Sequence, residues 1–535
     1  RRPAADAEHA EDLAVELRAQ LRLLRDNREL AHEMGEGFRE TSAALARIEH
    51  RLNPEPPLKL KRLPPERASR FTYRAQVAPF VGRQQELAAL KAFCDADHCF
   101  RWWLLAGPGG QGKSRLAFEL CLSRANAWHA GILASPKFDW RTWEPERPTL
   151  IVADYAARDV DDLRKAAVAL CDREHTFDFP VRLLLLERDP KGPWSEKFEG
   201  TDNARYDLAG HCHDGPLMLD PLGDEALWQV MLAFFDRAGA TAPNKAETLG
   251  KLKDIDDDAR PLFASLLADA WTAGGLRPDW SKEDLLTHVL AREDDQFWKR
   301  ADVDDLDRNL LALATMTGGI ALDDALGNGA PGLLPDRQSF EPDRYEVMCG
   351  RPVDGRVPAL EPDIIGEFFV LSHLATKRAK ILGWAKELHN LAWTTAAPWK
   401  IGSFLFRATS DFPRHESLNA LLATLLDRLA VLPREAEVVG AANLIPAYAG
   451  AGDILAARTL WKRLAELAKA RPDEPVLREA QAVGALNLIK AYSVARAMPA
   501  ARALWRCLAA LAEAYAEESA LRKWQARGTE DLILA

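Results

Sequence analysis

Residues 107–114 read Gly107-Pro108-Gly109-Gly110-Gln111-Gly112-Lys113-Ser114. The pattern is G-x-x-x-x-G-K-[ST], and each part has a physical task. Glycines let the backbone wrap so that successive N–H groups face one point, where phosphate oxygens can sit. Lys113 brings a cation to the β- and γ-phosphates, and Ser114 offers a hydroxyl to Mg2+. The apolar run 101–106 in front reads as a strand. The stretch 115–124 behind it reads as an amphipathic helix, whose positive end faces the same point. Gly107, Gly109, Gly110, Gln111, Gly112, Lys113, Ser114 and Arg115 are the candidate nucleotide ligands, for ATP or ADP with Mg2+.

A site of this kind needs a second apolar strand ending in an acid. Leu150-Ile151-Val152-Ala153-Asp154 supplies it, and Asp154 suits a hard cation that keeps its own waters. Ser114 and Asp154 are the expected Mg2+ pair. The next residue is Tyr155, where a second acid often orients the attacking water. Slow hydrolysis is expected, or a base from elsewhere, with Asp159 and Glu187 as candidates. A third strand, 182–186, runs into Glu187-Arg188-Asp189. Arg188 can meet a γ-phosphate with two N–H groups, or pair with its acidic neighbours instead. Lys113, Asp154 and Arg188 form the expected catalytic set. Strands alternating with helical patterns over 80–240 argue for a parallel sheet flanked by helices.

The whole chain has 535 residues, more than one compact core holds, so several domains are expected. Net charge is -10, which disfavours a dominant nucleic-acid role. No apolar run reaches the ~18 residues of a membrane span. Seven cysteines are scattered without a C-x-x-C pair. That is the thiol usage of a cytoplasmic protein, not a disulfide framework or zinc ribbon.

Segment by segment, Leu13, Leu17, Leu21, Leu24, Leu30, Met34, Phe38, Leu45, Ile48 and Leu52 fall at helical spacing. They give an N-terminal helical segment over 1–52, packing on its own protein or facing a partner. Pro54, Pro56, Pro57, Pro64, Pro65 and Pro79 make 53–79 a basic linker. The nucleotide-binding domain spans 80–240. Helical patterns fill 241–320 and resume at 361 after a Gly- and Pro-rich, irregular insertion over 322–360. Residues 381–433 form a helical connector.

The end of the chain repeats itself. Residues 434–468 align without gaps on 478–512, an offset of 44, with 21 identities in 35 positions. Asn443/Asn487, Tyr448/Tyr492, Arg458/Arg502 and Trp461/Trp505 coincide. Each unit reads as two helices joined by a turn near Gly452 or Arg496. Over 434–535 this is an α-solenoid near the tetratricopeptide type, whose concave face usually takes a protein ligand. Arg522, Gln525, Gly528, Leu532 and Ile533 begin a third unit in register. With Arg1 in place of an initiator Met, a longer native chain is expected.

These motifs together resemble the STAND NTPases, the signal-transduction ATPases that include NB-ARC and NACHT proteins. Phe80-Val81-Gly82-Arg83-Gln84-Gln85-Glu86-Leu87 is similar to the family's F-V-G-R-x-x-E-L motif, which places Val81, Gly82 and Arg83 by the adenine. Leu219-Asp220-Pro221-Leu222 resembles the L-x-P-L segment that opens a helical lid, 241–300. Ala259-Arg260-Pro261-Leu262 resembles the G-x-P motif, whose proline, here Pro261, lies against the base. Glu361-Pro362-Asp363 falls where a winged-helix domain, 301–380, would carry M-H-D. Asp363 matches the Asp, and Pro362 replaces the His. The resemblance implies a multidomain α/β plus all-α switch. ADP would hold it closed, and sensing of a protein or peptide ligand by the repeats would allow ATP exchange. ATP-bound copies would then self-associate and activate an N-terminal effector missing from this chain, as in bacterial anti-phage defence. Alternatives are a nucleotide-clamped scaffold with little ATPase activity, or a transcription regulator of the same family.

Other clusters read blandly. His211-Cys212-His213-Asp214 has alternating histidines that would share one strand face, without a fourth metal ligand. Acidic runs 254–258, 294–295 and 302–307 lack a calcium-loop pattern and read as solvated faces. His373 reads as a core histidine.

Overall fold

The computed structural model describes residues 54–62, 71–188, 190, 193–199, 208–274, 279–327, 332–352, 355–374, 383–395, 398–413, 415, 417–418, 442, 444–450 and 452–534. The N-terminal helical segment 1–52 lies outside them, as do Pro64, Pro65, Asp189, residues 419–441 and Asn443. The chain divides into two compact units. One takes Arg1–Leu60, Gln85–Ala106 and Leu116–Met218; the other takes Lys61–Gln84, Gly107–Arg115 and Leu219–Ala535.

The first unit is built on a sheet of β1 (Leu58–Lys59), β2 (Phe100–Ala106), β3 (His129–Leu133), β4 (Thr149–Ala153), β5 (Val181–Glu187) and β6 (Leu217–Met218), in the order β1-β3-β4-β5-β2-β6. All neighbours are parallel except β1 on β3. Every residue of β4 and β5 is buried, as the apolar runs 150–153 and 183–186 require of strands covered on both faces. The helices of this part are α1 (Gln84–Asp95), α2 (Lys113–Arg124), α3 (Val160–Arg173) and α4 (Pro193–Glu199). Part of the expected linker is therefore an edge strand. Gly131 of β3 allows it: a Cβ there would stand 3.0 Å from both Leu58 Cβ and the Lys59 carbonyl.

Strand β5 lies between β2 and β4, with Glu187 level with Ala106 and Leu185 level with Ala153. The ends of β4 and β5, carrying Asp154 and Arg188, thus share the carboxyl edge of the sheet with the end of β2. That edge is where open parallel sheets bind ligands. Arg182 of β5 is fully buried and caps α1, donating to the carbonyls of Phe93 at 2.9 Å and Ala96 at 2.5 Å.

The second unit begins its helices with α5 (Asp224–Ala238), α6 (Lys245–Ile255), α7 (Pro261–Thr272) and α8 (Lys282–Glu293). Local chemistry sets their ends. Asn244 caps α6, Ser281 and Asp284 form a capping box on α8, and Gly239 closes α5 in the left-handed region. Then come α9 (Asp305–Thr317), β7 (Ile320–Ala321), α10 (Leu322–Gly327), α11 (Pro342–Met348), β8 (Arg356–Val357) and α12 (Asp363–His373), with β7 and β8 antiparallel. Within 322–360, expected to be irregular, the described residues include two short helices and a strand among loops. The reason is a buried acid: Asp307 accepts from Arg344 Nη1 at 3.0 Å and Tyr345 Oη at 2.9 Å, both on α11. Pro342 at the first turn starts that helix without losing a hydrogen bond.

The remaining helices are α13 (Gly383–Thr395), α14 (Pro398–Asp411), α15 (Ile454–Ala470), α16 (Pro475–Val494), α17 (Met498–Ala514) and α18 (Ser519–Leu534). In the repeat region the contacts recur at the same offset of 44. A Cβ on Gly484 would meet Ile445, Trp461 and Leu464; on Gly528 it would meet Ile489, Trp505 and Leu508. Among the described residues no helix is long and apolar enough to cross a membrane.

Candidate functional site

The loop 107–112 leaves β2 and runs into α2, and it groups with the helical unit. Lys113 is 9% exposed, and its Nζ donates to the carbonyls of Gly107 at 2.5 Å and Pro108 at 3.0 Å. The ammonium is thus folded back into its own loop, where carbonyl dipoles replace only part of its hydration and an anion would be favoured beside it. Gln111 is 2% exposed, and its amide oxygen meets no donor among the described residues. A buried amide of this kind is completed by a polar ligand or its ordered water. Ser114 follows Lys113 in the first turn of α2, where backbone N–H groups lack helical partners. The loop residues therefore fit a polyphosphate.

Residues of the same unit hold the loop by its carbonyls. Arg83 Nη2 donates to Gln111 at 3.3 Å, Leu262 N to Gly110 at 3.2 Å, and Arg260 Nη1 to Gly109 at 3.2 Å. Gly110 has φ 78°, and a Cβ on it would lie 3.2 Å from Leu262 Cβ and 3.4 Å from Ile364 Cδ1. Glycine is needed there for both the left-handed backbone and the close approach of α7 and α12. Gly82 is alike: with φ 69°, its Cβ would fall 2.8 Å from Leu222 Cδ2 and 3.0 Å from Ala226 Cβ. The segment Val81-Gly82-Arg83 is thereby seated on Leu222 and the start of α5. Pro261 is the first residue of α7, and Ala259 takes φ 46°, the conformation that favours glycine.

Asp363 opens α12 and is buried, with Arg407 Nε 3.7 Å from it and 2.9 Å from Glu367 Oε1. The loop, Val81–Arg83, Pro261 and Asp363 all belong to the helical unit; Asp154 and Arg188 belong to the sheet unit. There, Asp154 Oδ1 accepts from the Tyr155 backbone N–H at 3.0 Å. Tyr155 sits at φ 56° under the Arg158 guanidinium, 3.8 Å from its ring centre. Glu187 is buried and accepts from the backbone N–H groups of Ala157 at 2.8 Å and Arg188 at 2.7 Å. Its carboxylate shapes the two turns beside Asp154 and Arg188.

The acidic runs are not all solvated. Asp256 is 2% exposed and binds Arg260 through Nε at 2.9 Å and Nη2 at 2.5 Å, with Lys282 at 3.2 Å. Burial pushes the Asp256 carboxyl up, but the Arg260 hydrogen bonds and charge outweigh it and hold the group below its ordinary range. Asp411 completes the cluster at 2.9 Å from Arg260 Nη1. Only the spacing of four between Asp256 and Arg260 signalled this in the sequence; nothing there pointed to Asp411.

The turn 208–211 leads into a single parallel bridge between Cys212 and Trp102, and the two histidines beside it pack on different groups. His211 reaches Glu174 at 2.9 Å and packs on Phe100, while His213 packs on Phe93 and Trp103. Among the described residues no group of acids, histidines and cysteines could hold a metal ion. His373 is half-buried, stacked on Phe369 and bonded to Asn309 Oδ1 at 2.8 Å.

No family model and no curated protein matches the chain. Solved structures similar to it include two ATPases. A Walker-type ATPase of Pyrococcus abyssi aligns at 12% identity over 58% of this chain and 99% of its own, with a TM-score of 0.30. A signal transduction ATPase with numerous domains, a STAND protein with a tetratricopeptide repeat sensor from Pyrococcus horikoshii, aligns at 13% identity over 85% of this chain and 68% of its own, also at 0.30.

Proposed function

We propose that the chain is a P-loop ATPase acting as a STAND-type switch. The observation that carries the reading is the loop itself: a glycine-rich turn between a buried parallel strand and a helix, with Lys113 folded inward and Arg83, Arg260 and Leu262 on its carbonyls. Lys113 and the loop N–H groups would bind and orient the phosphates of ATP or ADP. Ser114 and Asp154 would hold Mg2+, which when bound supplies charge neutralisation and orients the phosphate oxygens. Water would attack the γ-phosphorus, breaking its bond to the bridging oxygen and releasing ADP, phosphate and a proton. Arg188 would steady charge on the γ-phosphate. With Tyr155 after Asp154 and Glu187 bonded to two backbone amides, turnover is slow and serves as a reset.

In this reading the repeats bind a protein or peptide ligand, and ATP-bound copies self-associate to activate an N-terminal effector, with anti-phage defence as the fitting role. A nucleotide-clamped scaffold is the second reading, and Tyr155 favours it. Calorimetry with ATP and ADP tests the first point: wild type binds both, and Lys113→Ala loses binding by about a hundredfold or more. Equal binding by the two proteins would defeat the reading. Tightly held ADP with no turnover after ligand addition would select the scaffold.

A further inference from the structure

Helix α14 touches the segments that carry the lid and α12 motifs on one side and the repeats on the other. Arg407 and Asp411 stand four residues apart and so share a face. Arg407 meets Asp363 and Glu367 of α12, and Asp411 meets Arg260 beside Pro261. Thr409, two residues from each, faces away from them. A Cβ on Gly450, in the helical stretch 444–450 within the first repeat, would lie 3.1 Å from Thr409 Oγ1. One nitrogen closes the path at the other end: Arg260 Nη1 is shared by Asp411 Oδ1 at 2.9 Å and the Gly109 carbonyl of the phosphate loop at 3.2 Å. Arg260 and Asp411 are both at least nine-tenths buried, so little water can substitute if either moves.

We propose that Asp411 is a positioning residue for the nucleotide site: through Arg260 it fixes the Gly109 carbonyl, and through α14 it passes displacement of the repeats to the loop, setting how fast a nucleoside diphosphate leaves. This rests on the nucleotide reading above. Coupling of this kind is reciprocal, so a diphosphate in the loop must also steady α14. The Asp256 contacts keep Arg260 paired when Asp411 is changed, which makes Asp411→Asn a mild substitution for the fold.

The test uses the full chain and a fluorescent N-methylanthraniloyl-ADP. Release is followed by stopped flow, and hydrogen exchange of 398–411 is measured with and without ADP. In wild type, ADP slows exchange in 398–411. In Asp411→Asn, release quickens by about tenfold or more and the ADP-dependent protection disappears, with the melting of nucleotide-free protein little changed. Asp411→Glu, which keeps the charge one methylene out of place, gives the same direction if the Asn variant does not fold. Wild-type release by both variants, or protection that persists in them, overturns the relay while leaving nucleotide binding intact. Wild-type protein that binds no ADP overturns the nucleotide reading and the relay together.

Discussion

Lys113 and His373 show opposite uses of burial. Lys113 is buried with its Nζ on the carbonyls of Gly107 and Pro108, a setting that an added anion would stabilise. His373 is half-buried among apolar side chains, a setting that favours its neutral form. Burial, aided by the positive Arg308, pushes its pKa down to about 4, while Asp305 opposes this weakly. In the unfolded chain a histidine titrates near ~6.5. Between those values the unfolded chain binds the extra proton, so stability is full above about pH 6.5 and falls as pH drops toward 4, by up to about 3 kcal/mol. Urea melts of wild type and His373→Gln check this: the variant should lose clearly less between pH 7 and 4.5. Parallel losses would mean that other groups carry the acid limb. At this scale the sequence was informative where chemistry demands residue types in order, as in Gly112-Lys113-Ser114. It was silent on Asp411, which reaches Arg260 across 151 residues of chain.

Among the elements, the repeats were the most legible, because a fixed offset exposes equivalent positions without any knowledge of packing. The turns carry the equivalence furthest. Gly452 N donates to Ala449 O and Asp453 N to Tyr448 O; Arg496 N and Ala497 N bond Ser493 O and Tyr492 O in the same way. This closure needs a left-handed residue after the helix, and Gly452 (φ 82°) and Arg496 (φ 55°) both adopt it. An arginine there carries a steric cost of about 1 kcal/mol that glycine avoids. Arg496 is exposed, so Arg496→Gly removes no packing and should raise the stability of the repeat region by about that amount in thermal or urea melts. A loss of stability would show that the Arg496 side chain has a compensating role. The short helices within 322–360 were illegible for the converse reason. Its helices exist because Arg344 and Tyr345 satisfy a buried Asp307, and composition alone reads only its glycines and prolines.

For the molecule as a whole, the division of the chain is the informative feature. The phosphate loop is compact with the helices and repeats, while the strand before it and most of the helix after it belong to the sheet. A ligand held by the loop therefore acts first on the unit that contains α7, α12 and α14, the parts that Arg260, Asp363 and Arg407 bind together. Exchange of ADP for ATP is then expected to change which surfaces that unit offers to a second copy. Particle size by electron microscopy or mass photometry measures the outcome. With ATP and the sensed ligand, discrete closed assemblies or filaments form; with ADP, or in Lys113→Ala with ATP, single chains remain. Net charge -10 adds a control, since a regulator working on DNA would show affinity that falls steeply with salt, and none is expected here. Unchanged single chains in ATP and in ADP, with nucleotide demonstrably bound, would reject assembly as the output and leave the clamped scaffold as the better account of the loop.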